Sequence, residues 1–187
     1  MSIDGESLRQ LVAEARQGDR AAADRLVREH ASWVRSAIYA VTGRADLVED
    51  VAQQVWTRAW EQLGTLEDPQ RLRAWLYTIA RNTAIDASIA RRRQRELAAT
   101  LDGQAVCDRR GRGPFSAAAG DELHETLLRA VQALPAIYRE PFVLRHLEGW
   151  NYAEIGETLG MPVETVETRL VRARRLLREM LQGKVTP

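Results

Sequence analysis

Residues 151–175 run Asn-Tyr-Ala-Glu-Ile-Gly-Glu-Thr-Leu-Gly-Met-Pro-Val-Glu-Thr-Val-Glu-Thr-Arg-Leu-Val-Arg-Ala-Arg-Arg, and no other stretch restricts the fold as strongly. Asn151 is suited to cap a short helix whose apolar residues Ile155 and Leu159 lie four apart on one face. Gly160 stops that helix by taking the left-handed conformation, and Pro162 sits where a second one begins, its missing N–H harmless in a first turn. Val166, Leu170, Ala173 and Leu177 then recur at i, i+4, i+7 and i+11 as a buried stripe. The opposite side carries Thr165, Thr168, Arg169, Arg172 and Arg175. Two helices joined by a tight glycine turn, the second with a Thr/Arg face, suit the DNA major groove. The same spacing also describes a helical hairpin with a solvated basic face, so the rest of the chain must decide.

Apolar residues make up 45% of the 187, enough for real cores, and period-two runs of β-branched residues are absent. The chain therefore reads as all-α, either one domain or two small ones. A net charge of +1 conceals a local bias: nearly every cation is arginine, Lys184 being the one lysine, and the arginines cluster at 91–95 and 169–178. Cys107 is the single cysteine, so an intramolecular disulfide or Cys-rich zinc site is excluded, and it reads as a bystander thiol. His30, His124 and His146 are scattered without ligand spacing. The carboxylates of Glu49, Asp50, Asp86 and Glu154 have no histidine partner or metal spacing, so neither active site, metal nor cofactor is expected. No signal-like segment and no run of 18 apolar residues occurs, which leads to the expectation of a cytoplasmic chain without membrane insertion.

Helical periodicity divides the chain into a first block, 1–95, a tether, 96–120, and a second block, 121–187. In the first block a helix near Leu8 to Gln17 precedes a longer one that breaks at Thr42-Gly43. Asp46 with Glu49 predicts a capping box for a third helix, whose inward stripe is Val48, Val51, Ala52, Val55 and Ala59 with Trp56 and Trp60 flanking. A loop through Pro69 leads to a fourth helix over about 70–93. The tether is rich in Ala, Gly, Asp and Arg, and residues 111–114 (Gly-Arg-Gly-Pro) fit no helix. In the second block Pro135 ends one helix, and Pro141 must begin or kink the next.

The fourth helix interleaves a packing stripe (Leu72, Leu76, Ile79, Thr83) with Trp75, Tyr77, Arg71, Arg81, Asn82, Arg91 and Arg92. Aromatic faces stack on unpaired bases, guanidinium groups neutralise phosphates, and an asparagine amide pairs with a base edge, so this surface suits single-stranded or distorted DNA. Trp75 taken alone is as well explained as core, and the arginine run as a helix end favoured by the dipole. Two basic helical units on one tether nevertheless suit a protein gripping two separated DNA segments.

Taken together, the segments 18–22, 46–60, 73–86 and 134–145 and the helix-turn-helix resemble, in order and over nearly the whole length, the extracytoplasmic-function (ECF) sigma factors of bacterial RNA polymerase. The resemblance implies a region 2 domain, a linker and a region 4 domain, with core RNA polymerase and promoter DNA as partners and an anti-sigma factor as regulator. It assigns Asp50, Gln53 and Gln54 to polymerase binding. To the −10 element it assigns Trp75, Tyr77, Arg81 and Asn82 within 73–86, with the loop 66–71, Arg71 included, holding a base flipped out of the stack at a cost of a few kcal/mol; Arg91 and Arg92 join them as candidates from the basic run on the same helix. To the −35 element it assigns Thr168, Arg169 and Arg172, and Thr165 and Arg175 join them as candidates because they share the same helix face. Glu164 and Glu167 depart from the family pattern, which has a small residue and a basic one there; carboxylates repel phosphates but accept from cytosine N4. A stand-alone helix-turn-helix regulator is the main rival, although such proteins are commonly dimers and the first block would then lack a purpose.

Overall fold

Asp19 and Gly43 set the limits of the helix on which everything else is mounted. The computed structural model describes residues 5–102 and 122–182, and within them the chain is helical without a strand. After α1 (Gly5–Arg16), the Asp19 carboxylate accepts from the backbone N–H groups of Ala21 and Ala22 at 2.7 and 3.3 Å and starts α2 (Arg20–Thr42). Gly43 closes α2 at φ +65°, a left-handed conformation that a side chain resists, and donates its N–H to the Tyr39 carbonyl.

The start of α3 (Val48–Gln62) differs from the capping box expected at Asp46. Residues Ala45–Leu47 form a single 3₁₀ turn, and Asp46 instead takes the Arg44 guanidinium in two bonds of 3.0 and 2.7 Å. Glu49 is likewise taken, by Arg35 of α2 at 2.8 and 3.2 Å. Charged partners outcompeted the backbone for both carboxylates. The expected inward stripe of α3 is buried in full.

Two short 3₁₀ turns, Leu63–Thr65 and Pro69–Arg71, lead into α4 (Leu72–Asp102), which starts later and ends later than the span 70–93 predicted from sequence. The tether expected from residue 96 is corrected for the same reason: residues 96–102 are helical. No glycine or proline intervenes before Gly103, and Arg92 pairs with Glu96 one turn on at 2.8 Å. The remainder of that tether, with Cys107, lies outside the described residues.

In the second block α5 (Glu122–Ala133) gives way at Pro135 to α6 (Ala136–His146). Pro141 sits inside α6, not at its start; the carbonyl it deprives of a donor belongs to the exposed Ile137, where water can serve. The helix-turn-helix follows as read. Asn151 and Glu154 form a reciprocal capping box on α7 (Tyr152–Leu159), and Gly160 closes it at φ +65°. The Pro162 carbonyl then receives the N–H groups of Thr165 and Val166 at the head of α8 (Val163–Gln182).

Leu11, Val12, Leu26, Leu63, Leu66 and Leu72 form a small cluster under α1. The main core joins α2, α3 and α4 through Val34, Ile38, Val51, Val55, Leu76 and Tyr77, and continues without interruption into Leu144, Trp150, Ile155, Val166 and Leu170 of the C-terminal helices. A third cluster seats Ala40 of α2 among Val131, Leu134, Val143 and Leu177. The two helical units thus pack on one another.

Candidate polymerase and promoter-DNA interfaces

On α3 the buried residues Val51, Ala52 and Val55 leave Asp50, Gln53 and Gln54 exposed on the opposite side, within a little over one turn. One carboxylate and two amides on a firmly packed helix make a polar docking patch of fixed geometry.

The residues expected on the α4 face separate into three environments. Asn82, Arg91 and Arg92 are exposed. Arg71 and Trp75 line an open hollow of about 530 Å³ together with Leu66, Glu67, Asp68 and Thr78, with Glu157 and Thr158 of α7 on its far rim. The loop that the sequence marks for base capture therefore does border a concave space. Asp68 shapes it by accepting from the Gln70 N–H at 2.9 Å, and Arg16 fastens it from α1 through the carbonyls of Leu63 (3.2 Å) and Leu66.

Tyr77 and Arg81 form the third environment, and here the expectation of an accessible ring is not met. Tyr77 is fully buried, its hydroxyl 3.4 Å from a Glu140 carboxylate oxygen and its ring edge-on to Trp150 at 5.7 Å. Burial first, and the Glu140 charge second, push its phenol well above the usual tyrosine range. Arg81 is half-buried and donates Nε to the same carboxylate oxygen at 2.8 Å, a bond that raises its own affinity for the proton. The reason is positional. A stripe of Leu72, Leu76, Ile79 and Thr83 suffices to cover α2 and α3, but α7 packs against α4 as well, Glu140 and Trp150 reach over Tyr77, and the buried residues of α4 include Tyr77, Ala80 and Ala84.

On α8 the buried stripe is the expected one, Val166, Leu170, Ala173 and Leu177. Thr168, Arg172 and Arg175 are exposed, while Thr165 and Arg169 are half-buried. Thr168 donates its hydroxyl to the Glu164 carbonyl at 2.8 Å, and Arg175 lies 3.6 Å from Glu179. Glu164 and Glu167 are exposed at the same end of the helix.

Sequence reasoning passed over Arg139, Glu140, Glu148 and Trp150. Arg139 is 7% exposed, and its guanidinium donates to the carbonyls of Ala40, Val41 (3.0 Å) and Gln132 (2.7 Å), the first two at the C-terminal end of α2. The available signal was the paired charge Arg139-Glu140 flanked by Ile137, Tyr138, Phe142, Val143 and Leu144, which is costly to bury without partners. Among the described residues no group of three or more His, Cys, Asp or Glu is placed to hold a metal, and no helix is long and apolar enough to cross a membrane.

The first unit and the second match known families separately. Residues 26–96 fit the model of sigma-70 region 2, and residues 124–177 fit that of sigma-70 region 4. The chain is 30% identical over 183 residues to the ECF RNA polymerase sigma factor SigW of Bacillus subtilis, covering 94% of this chain and 97% of that protein. It is 32% identical over 185 residues to the RNA polymerase sigma-H factor of Pseudomonas aeruginosa, covering 95% of each. Among solved structures it resembles CnrH in complex with the cytosolic domain of CnrY (TM-score 0.68, 28% identity, 94% of this chain and 97% of that one). It also resembles the Bartonella quintana sigma factor RpoE in complex with the anti-sigma factor NepR (TM-score 0.67, 25% identity, 86% and 97%). The two units are sigma regions 2 and 4 in their usual order, and the chain belongs to the family of ECF RNA polymerase sigma factors.

Proposed function

We propose that this chain binds core RNA polymerase through Asp50, Gln53 and Gln54 of α3, directs it to a class of promoters and helps open the −10 region. The observation that carries the reading is the presence, on one chain, of regions 2 and 4 with an exposed polar turn on α3 and an exposed Thr/Arg face on α8. The block that ends with α4 at Asp102 and the block that begins with α5 at Glu122 serve as the two working domains. The protein performs no covalent chemistry and acts in the cytoplasm, where polymerase and DNA are. An anti-sigma factor holds it in check; the solved relatives in complex with CnrY and NepR support this.

At the −10 element, Arg71 and Trp75 border the hollow that receives an unpaired base, Asn82 reads that base, and Arg81, Arg91 and Arg92 neutralise backbone phosphates. Asn82→Ala should slow open-complex formation about tenfold, the equivalent of ~1.4 kcal/mol, with polymerase binding unchanged. Permanganate footprinting beside size-exclusion chromatography separates the two; parallel loss of both would remove Asn82 from this role.

At the −35 element, Thr168, Arg172 and Arg175 lie outward on α8, with Thr165 and Arg169 supporting them. Arg172→Ala should weaken duplex promoter binding by about 1–3 kcal/mol if it reads a base, or lower the salt slope by about 1 if it meets a phosphate. A titration at several salt concentrations distinguishes these outcomes, and unchanged affinity with unchanged slope would count against contact. Glu164 and Glu167 bias the site towards cytosine on the contacted strand. The whole reading is tested by run-off transcription with core polymerase and this chain on a library of promoter fragments.

A further inference from the structure

The segment 63–71, which forms one wall of the hollow, is irregular between its two 3₁₀ turns, with Leu66 and Asp68 extended. Local bonds close each turn, Leu66 N–H to the Leu63 carbonyl at 3.3 Å and Arg71 N–H to that of Asp68 at 2.9 Å. The brace across both turns comes from α1, which packs along α2 and over the Pro69–Arg71 turn. At one end of α1, Gly5 lies against Gln70, whose side-chain amide would stand 3.2 Å from a Cβ there. In the middle, Leu11 and Val12 share a cluster with Leu63, Leu66 and Leu72. At the other end Arg16 donates Nε to the Leu63 carbonyl at 3.2 Å and a terminal N–H to the Leu66 carbonyl.

Those two carbonyls are where the loop is set. Leu63 closes α3, and the end of a helix leaves carbonyls that lack donors and carry partial negative charge, which a cation satisfies. Leu66 is the pivot: its side chain is 3% exposed in the cluster under α1, its carbonyl is held by Arg16, and the next two residues, Glu67 and Asp68, turn out to line the hollow. A guanidinium is a rigid planar fork, so one side chain holding both carbonyls fixes the spacing between them; an ammonium has no such geometry. Arg16 itself is not among the residues lining the hollow, so its effect on a base there runs through the loop.

Resting on the promoter-opening reading, we infer that Arg16 is a positioning residue for −10 base capture: by tying Leu63 and Leu66 to α1 it sets where Glu67, Asp68 and Arg71 stand around the captured base. Without the tie the loop keeps its buried leucines but gains backbone freedom, and ordering it again when a base enters costs affinity for that base. The effect is confined to one base position, because α3, α8 and the rest of α4 do not depend on these two bonds.

The test uses holoenzyme assembled from core polymerase and the full chain, selecting from fork-junction DNA randomised in its upstream duplex and its single-stranded −10 segment. Sequencing the bound fraction gives the base preference at each position. Asp68→Ala, in the loop itself, marks the captured base, and Arg9→Ala, an exposed α1 arginine paired with Glu6, is the control of equal charge. Arg16→Ala should lose about tenfold in preference at the position that Asp68→Ala marks, with other positions, co-elution with core and melting temperature as in the control. Arg16→Lys, which keeps the charge but not the fork, should recover only part of the preference. A uniform loss at all positions with a salt slope lower by about 1 would mean direct phosphate contact and overturn the inference. So would unchanged preference in Arg16→Ala or Asp68→Ala, full recovery by lysine, or a loss that merely follows a lowered melting temperature. Wild-type holoenzyme without any −10 preference would strike the sigma reading, and the role of Arg16 with it.

Discussion

Leu170→Ala should lower the unfolding free energy by about 3 kcal/mol, within the usual 2–5 kcal/mol for a fully buried leucine. Leu170 is 1% exposed and packs in the cluster with Leu144, Ile155 and Val166 that holds α7 on α8. The loss combines the transfer energy of the removed carbons with the cavity they leave, since helices fixed by caps at Asn151 and Gly160 cannot collapse freely. Binding to a −35 duplex should fall in parallel at temperatures near the new midpoint, although no DNA-facing group is altered. Urea denaturation followed by circular dichroism measures the effect. A change below about 1 kcal/mol would mean that Leu170 is not a core residue.

Gly156→Ala should also destabilise, by about 2 kcal/mol, against the direction that helix propensity predicts. In an exposed helix interior the same change gains about 1 kcal/mol. Here a Cβ would stand 2.8 Å from the Met161 backbone oxygen. That oxygen belongs to the turn between α7 and α8, where Met161 donates its N–H to the Gly156 carbonyl at 2.9 Å. Neither partner is a flexible side-chain end, so the turn itself must open and the helix pair with it, an overpacking cost of about 1–3 kcal/mol beyond the propensity gain. Thermal melts of the two proteins decide the sign, and a stabilised variant would show that the turn has room.

The helix-turn-helix was legible because each of its features is local. Asn151, Gly160 and Pro162 act within a few residues, and the stripe from Val166 to Leu177 is a pure periodicity. The failures came where a distant partner intervened. Asp46 is a good cap by residue type, yet Arg44 and the Arg35–Glu49 pair claimed the carboxylates involved. Tyr77 looked like a surface ring because its cover, Glu140 and Trp150, lies more than sixty residues away in the chain. Nothing in the α4 sequence announces a second layer on that side. The loop 66–71 was singled out by family resemblance alone, and the far rim of the hollow it borders, at Glu157, is again a tertiary event.

That α3 presents a polymerase-docking surface is tested by size-exclusion chromatography with bacterial core RNA polymerase. Wild-type chain should co-elute with the core enzyme, and Asp50→Ala/Gln53→Ala, equally well folded because both side chains are exposed, should co-elute weakly or not at all. Failure of the well-folded, inhibitor-free wild type to co-elute, or equal co-elution of the double variant, would contradict it.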